Sequence, residues 1–142
     1  MSSFSVFLAE EILDHVFRGN SYTRGYPMYV GLFTADTGLD ANTIGSAAEV
    51  AAGDYVRFTV DGTTYSFTAP TGTPRTISNN IEWAWSQATN NWGDITHTAI
   101  LDSATLGAGN ILAWGGLTVS PKTVNNGDTA RFLAGEFDVS LT

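Results

Sequence analysis

Residues 92–119 read WGDITHTAILDSATLGAGNILAWGGLTV. Ile95, His97, Ala99 and Leu101 alternate with Thr96, Thr98 and Ile100. After a connection at 102–110 built of Asp, Ser, Gly and Asn, Ile111, Ala113, Gly115, Leu117 and Val119 alternate with Leu112, Trp114, Gly116 and Thr118. A period of two is the signature of strands. The connection can turn the second run back antiparallel to the first, which joins their apolar sides into one surface. Both faces of the second run carry apolar residues, Trp114 among them, so this hairpin belongs inside a sheet and not at its edge. The rest of the chain must cover it.

Upstream, residues 5–18 space Leu8, Ile12 and Val16 as a helix does, with Leu13 and Phe17 beside them. Ser3 or Ser5 can cap its start, His15 and Arg18 suit its end, and Gly19–Asn20 supplies the stop. One short helix is marginal alone and has to dock on the sheet or on a neighbouring subunit. Residues 28–34 follow Pro27 and are apolar on both faces, which predicts a second central strand. Asp61-Gly62 is a two-residue turn signal between runs at 55–60 and 63–68, with Val56, Phe58 and Val60 on one face and Tyr55, Arg57 and Thr59 on the other. Residues 76–85 predict a strand with Ile77, Asn79, Ile81, Trp83 and Trp85 on one side. Two last strands are expected at 129–134 and 136–141. Residues 35–54 show no period and are long for a connection, the kind of loop on which partners are met. The sum is one domain, 1–142, with a helix at 5–18 and a β-sandwich at 28–142. It is a mainly β, antiparallel sandwich of jelly-roll type with about eight short strands.

The composition narrows the function. The 142 residues include no cysteine, which removes disulfides, thiol catalysis and thiolate metal sites. A formal charge of -8 with one lysine, Lys122, lacks the clustered basic footprint that nucleic acid or an anionic membrane surface requires. Glu10, Glu11 and Asp14 in the first amphipathic stretch, with no basic leader and no long apolar run, predict neither a signal peptide nor a spanning helix.

Reactive constellations are weak. Asp94 lies three residues before His97, yet no strand-turn-helix presents a Gly-flanked serine, and His97 reads as a hydrogen-bonded residue of a buried strand. Glu82 with Glu136 or Asp138 could form a glycosidase pair, but nothing in their spacing selects them. Asp36, Asp40 and Asn42 lack the alternate oxygens and closing Glu of a calcium loop, and His15 and His97 lack zinc spacing. Trp83 and Trp85 on one strand face could stack on sugar, although core or subunit contact is the commoner use of indole. Gly115-Gly116 in mid-strand suggests a bulge or close packing. No catalytic, cofactor or metal residue is assigned.

A wider pattern then emerges. FLAEEILDHVFRGNSY, YVGLFTAD, Ile81-Glu82-Trp83 and NNWGDITHTAILDSATLGAGNILAWGGLTVSPKTVNNGDTARFLAGEFDVSL together resemble a family of small tailed-bacteriophage virion proteins often labelled phage tail fibre protein. Related jelly-roll chains serve as trimeric cement or decoration proteins on phage heads. The resemblance implies a structural, non-enzymatic virion protein without cofactor. The expectation drawn from it is a homotrimeric cement protein bound to major capsid protein. Phe4, Phe7 and Leu8 of the arm and helix, Asp36 and Asp40 of the loop, and Trp83 and Trp85 are its candidate capsid or subunit contacts. The alternative is a tail-fibre or receptor-binding module meeting tail proteins or host glycan, and a third is an enzyme of cell-wall polysaccharide.

Overall fold

A computed structural model describes residues 2–60 and 67–141. The chain is mainly β with one helix. In order, the elements are β1 (Ser2–Phe4), α1 (Val6–Phe17), β2 (Met28–Phe33), β3 (Phe58–Val60), β4 (Arg75–Ser78), β5 (Trp83–Ala84), β6 (Gly93–Ile95), β7 (His97–Leu101), β8 (Ile111–Gly116), β9 (Lys122–Val124), β10 (Arg131–Phe132) and β11 (Asp138–Leu141).

The quoted stretch is the centre of the fold, as its period implies. β7 and β8 pair antiparallel, and the sheet order β1-β8-β7-β2-β3 encloses both. β2 also lies inside, between β7 and β3, which agrees with its apolar residues on both faces. Pairing slips between Ile100 and Leu101: Ala113 faces Ile100 and Ile111 faces Leu101, leaving Leu112 as the extra residue of a bulge. The bulge turns Leu112 to the same side as Ala113. The irregularity therefore falls several residues before Gly115-Gly116, where the glycines suggested it.

Both faces of this sheet are covered. Val30, Leu32, Ile100, Leu112 and Ala113 join Trp83, Trp85, Trp92, Ile95, Val124, Phe137 and Val139 in the main core. Those partners come from three two-stranded ladders, β4–β11, β5–β10 and β6–β9, and from the loops between them. On the opposite face Phe33, Ala99, Leu101 and Ile111 pack with Leu39, Ile44 and Ala47. The aperiodic loop 35–54 is thus not a free surface loop. Leu39 is fully buried, and a 3-10 turn, Ile44–Ser46, carries the chain across the sheet.

The sequence expectations change in several places. There are eleven strands among the described residues and not about eight, because long alternating runs break where the chain changes partner. The run 93–101 divides at Thr96, whose N–H turns to the Phe33 carbonyl while β6 leaves to pair with β9. The run 76–85 divides at Asn79, so Ile81 is 54% exposed and does not share the side of Trp83, which is 1% exposed. Tyr55 and Arg57, expected on one face, are both buried, but Val56 is 67% exposed and parts from Val60, 1% exposed, with which it was expected to share a face. The expected Asp61-Gly62 turn and most of its returning strand lie outside the described residues. The helix agrees closely: it spans Val6–Phe17 with Ser5 as its N-cap.

Candidate functional site

The root of α1 is tied to both the sheet and the loop. Ser5 is fully buried; its hydroxyl accepts the Leu8 N–H at 3.3 Å and donates to the Ile111 carbonyl, and its own N–H reaches the Leu112 carbonyl at 3.0 Å. One serine therefore caps the helix and joins it to β8. Val6 N–H donates to the Asp40 carbonyl at 2.9 Å, tying the helix to the loop as well. Phe4, Phe7 and Leu8 are half-buried against the main core. At the other end Gly19 takes φ +76°, and the Asp14 carbonyl accepts from Arg18 at 3.1 Å and Asn20 at 3.2 Å, which stops the helix.

The outward side of α1 is apolar too. Val6, Leu13, Val16 and Phe17 are 46%, 56%, 61% and 78% exposed. Leu13, Val16 and Phe17 stand at i, i+3 and i+4, so they form one patch. A helix with apolar residues on opposite sides is ordinarily buried between two layers, and here only one layer is supplied by the chain itself.

A groove of about 660 Å³ opens elsewhere, floored by Leu32, Trp85, Ile95, Leu117, Val124 and Phe132. Lys122, Asp128, Arg131 and Glu136 stand among its lining, with Thr118, Thr123 and Thr129 between them. β9 and β10, which flank it, each have a single strand partner among the described residues, β6 and β5. Its size falls within the range of binding grooves, and apolar and polar side chains line it in nearly equal number.

The predicted contacts separate into groups. Phe4, Phe7 and Leu8 lie together at the helix root. Asp40 joins them through its carbonyl, and its carboxylate accepts the Trp114 indole N–H at 3.4 Å. Asp36 is exposed in the same loop and accepts the Leu39 N–H at 3.1 Å through its carbonyl. Trp83 and Trp85 are core residues, 1% and 6% exposed, packed with Phe58, Phe67 and Phe132. Sequence reasoning missed the outward patch of α1, although too many apolar residues around one helix was the signal. It missed the groove because that lining converges from distant segments.

The groups considered for chemistry are engaged otherwise. Asp94 accepts from Thr123, and His97 Nδ1, half-buried and not fully so as expected, lies 2.8 Å from Thr96 Oγ1. Glu82 faces Arg131 at 3.9 Å, Glu136 accepts the Leu133 N–H at 2.8 Å, and Asp138 accepts from Ser78. Asn42 binds the Asn110 side chain at 3.0 Å and accepts the Ile111 N–H at 2.6 Å. Among the described residues no group of three or more His, Asp or Glu could hold a metal ion, and no helix is long and apolar enough to cross a membrane.

Asp54 carries the clearest electrostatic signature. It accepts the Thr89 N–H at 2.7 Å, the Asn90 amide at 3.0 Å and the Trp92 indole N–H at 3.1 Å. The Thr89 N–H above all, then the side-chain donors, hold its carboxyl well below the usual carboxylate range. A depressed folded-state pKa gives stability that is present above the unfolded value and is lost as pH falls through the folded one. Asp54→Asn is therefore expected to melt below wild type at pH 7, with the gap closing as both are acidified below about 4. Circular-dichroism melts across that range test this; a gap independent of pH would reject the linkage.

No curated protein matches the chain. A family model described as Gp80, podophage GP4 fiber I protein gp80, matches residues 3–140, which include α1 and all eleven strands in whole or part. The chain belongs to this family of phage fibre proteins, and its place is the virion.

Proposed function

We propose that the chain is a structural subunit of a tail fibre, built into an assembly through the outward side of α1. The observation that carries the assembly is the patch of Leu13, Val16 and Phe17, apolar and exposed on a helix whose other side is already packed. The family description supports fibre over head cement. Antibody-gold labelling of intact virions tests the location: label at the tail is the expected result, and label over the capsid faces would return the chain to a cement role on major capsid protein.

The finer fold reading belongs to the same proposal. The sheet and the three ladders act as two layers of a jelly-roll sandwich in one domain, and three copies share an axis. In support, one core cluster draws on residues from β2 to β11, and a three-fold arrangement can bury apolar surface that one small sandwich leaves open. Stacking of host glycan on Trp83, Trp85 or Trp92 is not included, since all three are within the core.

A further inference from the structure

We infer that the groove between β9 and β10 seats the α1 helix of a second copy of this chain. The inference goes beyond the fibre reading, because the contact would hold wherever on the virion the chain sits.

Two surfaces of one molecule are left half-made. Along α1 the apolar patch follows the spacing by which an amphipathic helix fills a groove. The groove holds about 660 Å³ over that apolar floor. None of its lining comes from α1. α1 is rooted at the Ile111–Leu112 end of β8, while the chain enters the groove with Leu117, just past the other end. A copy therefore presents its helix and its groove in different places, and the exposed patch calls for another molecule's groove.

Charge points the same way. The chain has six Lys and Arg residues against fourteen Asp and Glu, yet Lys122 and Arg131 both line the groove. Glu10 and Asp14 share the side of α1 that ends at Phe17, being seven and three residues before it. Asp14 is already paired with Arg18 within the helix at 3.0 Å, and Arg131 faces Glu82 at 3.9 Å, so Glu10 and Lys122 are the charges left to meet across the seam. An opposite pair of charges beside the apolar patch favours one register of the helix in the groove. Such a contact joins unlike surfaces, so it is heterologous: each copy gives a helix and receives one. It closes into a ring if the rotation between copies allows, three copies making the trimer, and otherwise continues as a filament.

Complementary variants test it. Leu13→Asp with Phe17→Asp disables the helix at exposed positions, and Thr129→Trp obstructs the groove from an exposed position. Sedimentation velocity over a concentration series should show wild type as trimers or larger species and each variant as monomer, associating roughly 30-fold or more weakly. A mixture of the two variants should give one-to-one pairs and nothing larger, because only one intact helix and one intact groove remain. Lys122→Glu should weaken association without filling the groove, and Glu10→Lys on its partner should restore part of it. Circular dichroism confirms that each variant is folded. A groove variant that assembles like wild type would overturn the inference in favour of helix-to-helix pairing, and so would a wild type that stays monomeric. Neither result bears on the tail label, so the two proposals fail separately.

Discussion

Arg57→Met is expected to destabilise the chain by about 3–5 kcal/mol and to lower its melting point by roughly 10 °C or more. The Arg57 side chain is fully buried and makes four hydrogen bonds: Nε and Nη2 grip the two Glu49 oxygens at 2.7 and 2.8 Å, and Nη1 donates to the Ser103 carbonyl at 2.6 Å and the Ala108 carbonyl at 2.9 Å. It thereby joins the loop 35–54, the approach to β3 and the β7–β8 connection. Tyr55 extends the network, accepting the Leu32 N–H at 2.8 Å and donating to Glu49 at 3.3 Å. Burial first, and the neighbouring Glu49 charge after it, push its phenol above the ordinary value, so it stays protonated and able to donate. The pair lies directly over the sheet. A Cβ at Gly31 would stand 3.0 Å from Glu49 Oε1, so β2 is narrowed there to admit the carboxylate.

Methionine keeps most of the bulk of Arg57 but leaves Glu49 charged, buried and without its cation, and two carbonyls without donors. Adding Glu49→Leu removes the orphaned charge, so the double variant should be more stable than the sum of the single losses implies. Urea unfolding of the four proteins closes the cycle. A loss under about 1 kcal/mol for Arg57→Met would mean that the three segments are held by their apolar contacts alone.

This cluster shows which parts of the chain were legible beforehand. The hairpin of β7 and β8, the interior place of β2 and the caps of α1 all depend on local period and on residues within one turn, and they could be read directly. Arg57 could not be placed: its partners lie 8, 46 and 51 residues away, and alternation only grouped it with Tyr55 and Thr59. Leu39, Ile44 and Ala47 cover a whole face of the sheet at irregular spacing, so no period announced them. The candidate site divided in the same way. Phe7 and Leu8 could be grouped by helix spacing, but Phe4 belongs to β1, paired with β8, and Trp83 and Trp85 were recognisable as large apolar residues without a sign of which layer would cover them. The groove needs Leu32, Leu117 and Phe132 to converge, which is a property of the topology.

Asn79 is the other position where a large effect is expected, and it also explains why the run 76–85 is two strands. Its side chain takes over from the ladder. Nδ2 donates to the Ile81 carbonyl at 2.8 Å and the Leu133 carbonyl at 2.9 Å, Oδ1 accepts the Phe137 N–H at 2.9 Å, and the main chain exchanges bonds with Phe137 at 3.0 Å and Gly135 at 2.8 Å. The residue is 1% exposed and its bond to the Phe137 N–H is buried, while Ile81 and Leu133 lie at the surface, 54% and 43% exposed. Asn79→Ala leaves the buried Phe137 N–H unpaired, takes the donor from two part-buried carbonyls and should cost about 3 kcal/mol. Asn79→Asp separates hydrogen bonding from shape. The carboxylate keeps the acceptor for Phe137 but faces the Ile81 and Leu133 carbonyls, so burial and repulsion raise its folded-state pKa above the unfolded value. The sign follows: the folded state holds the proton more tightly, and Asn79→Asp should gain stability as pH is lowered from 7 towards 4, where wild type and Asn79→Ala do not. Chemical denaturation at pH 7, 5.5 and 4 measures all three proteins. Parallel behaviour of Asn79→Asp and Asn79→Ala would mean that the amide serves only as filler; opposite trends with pH would identify it as the donor that turns the chain from β4 to β5.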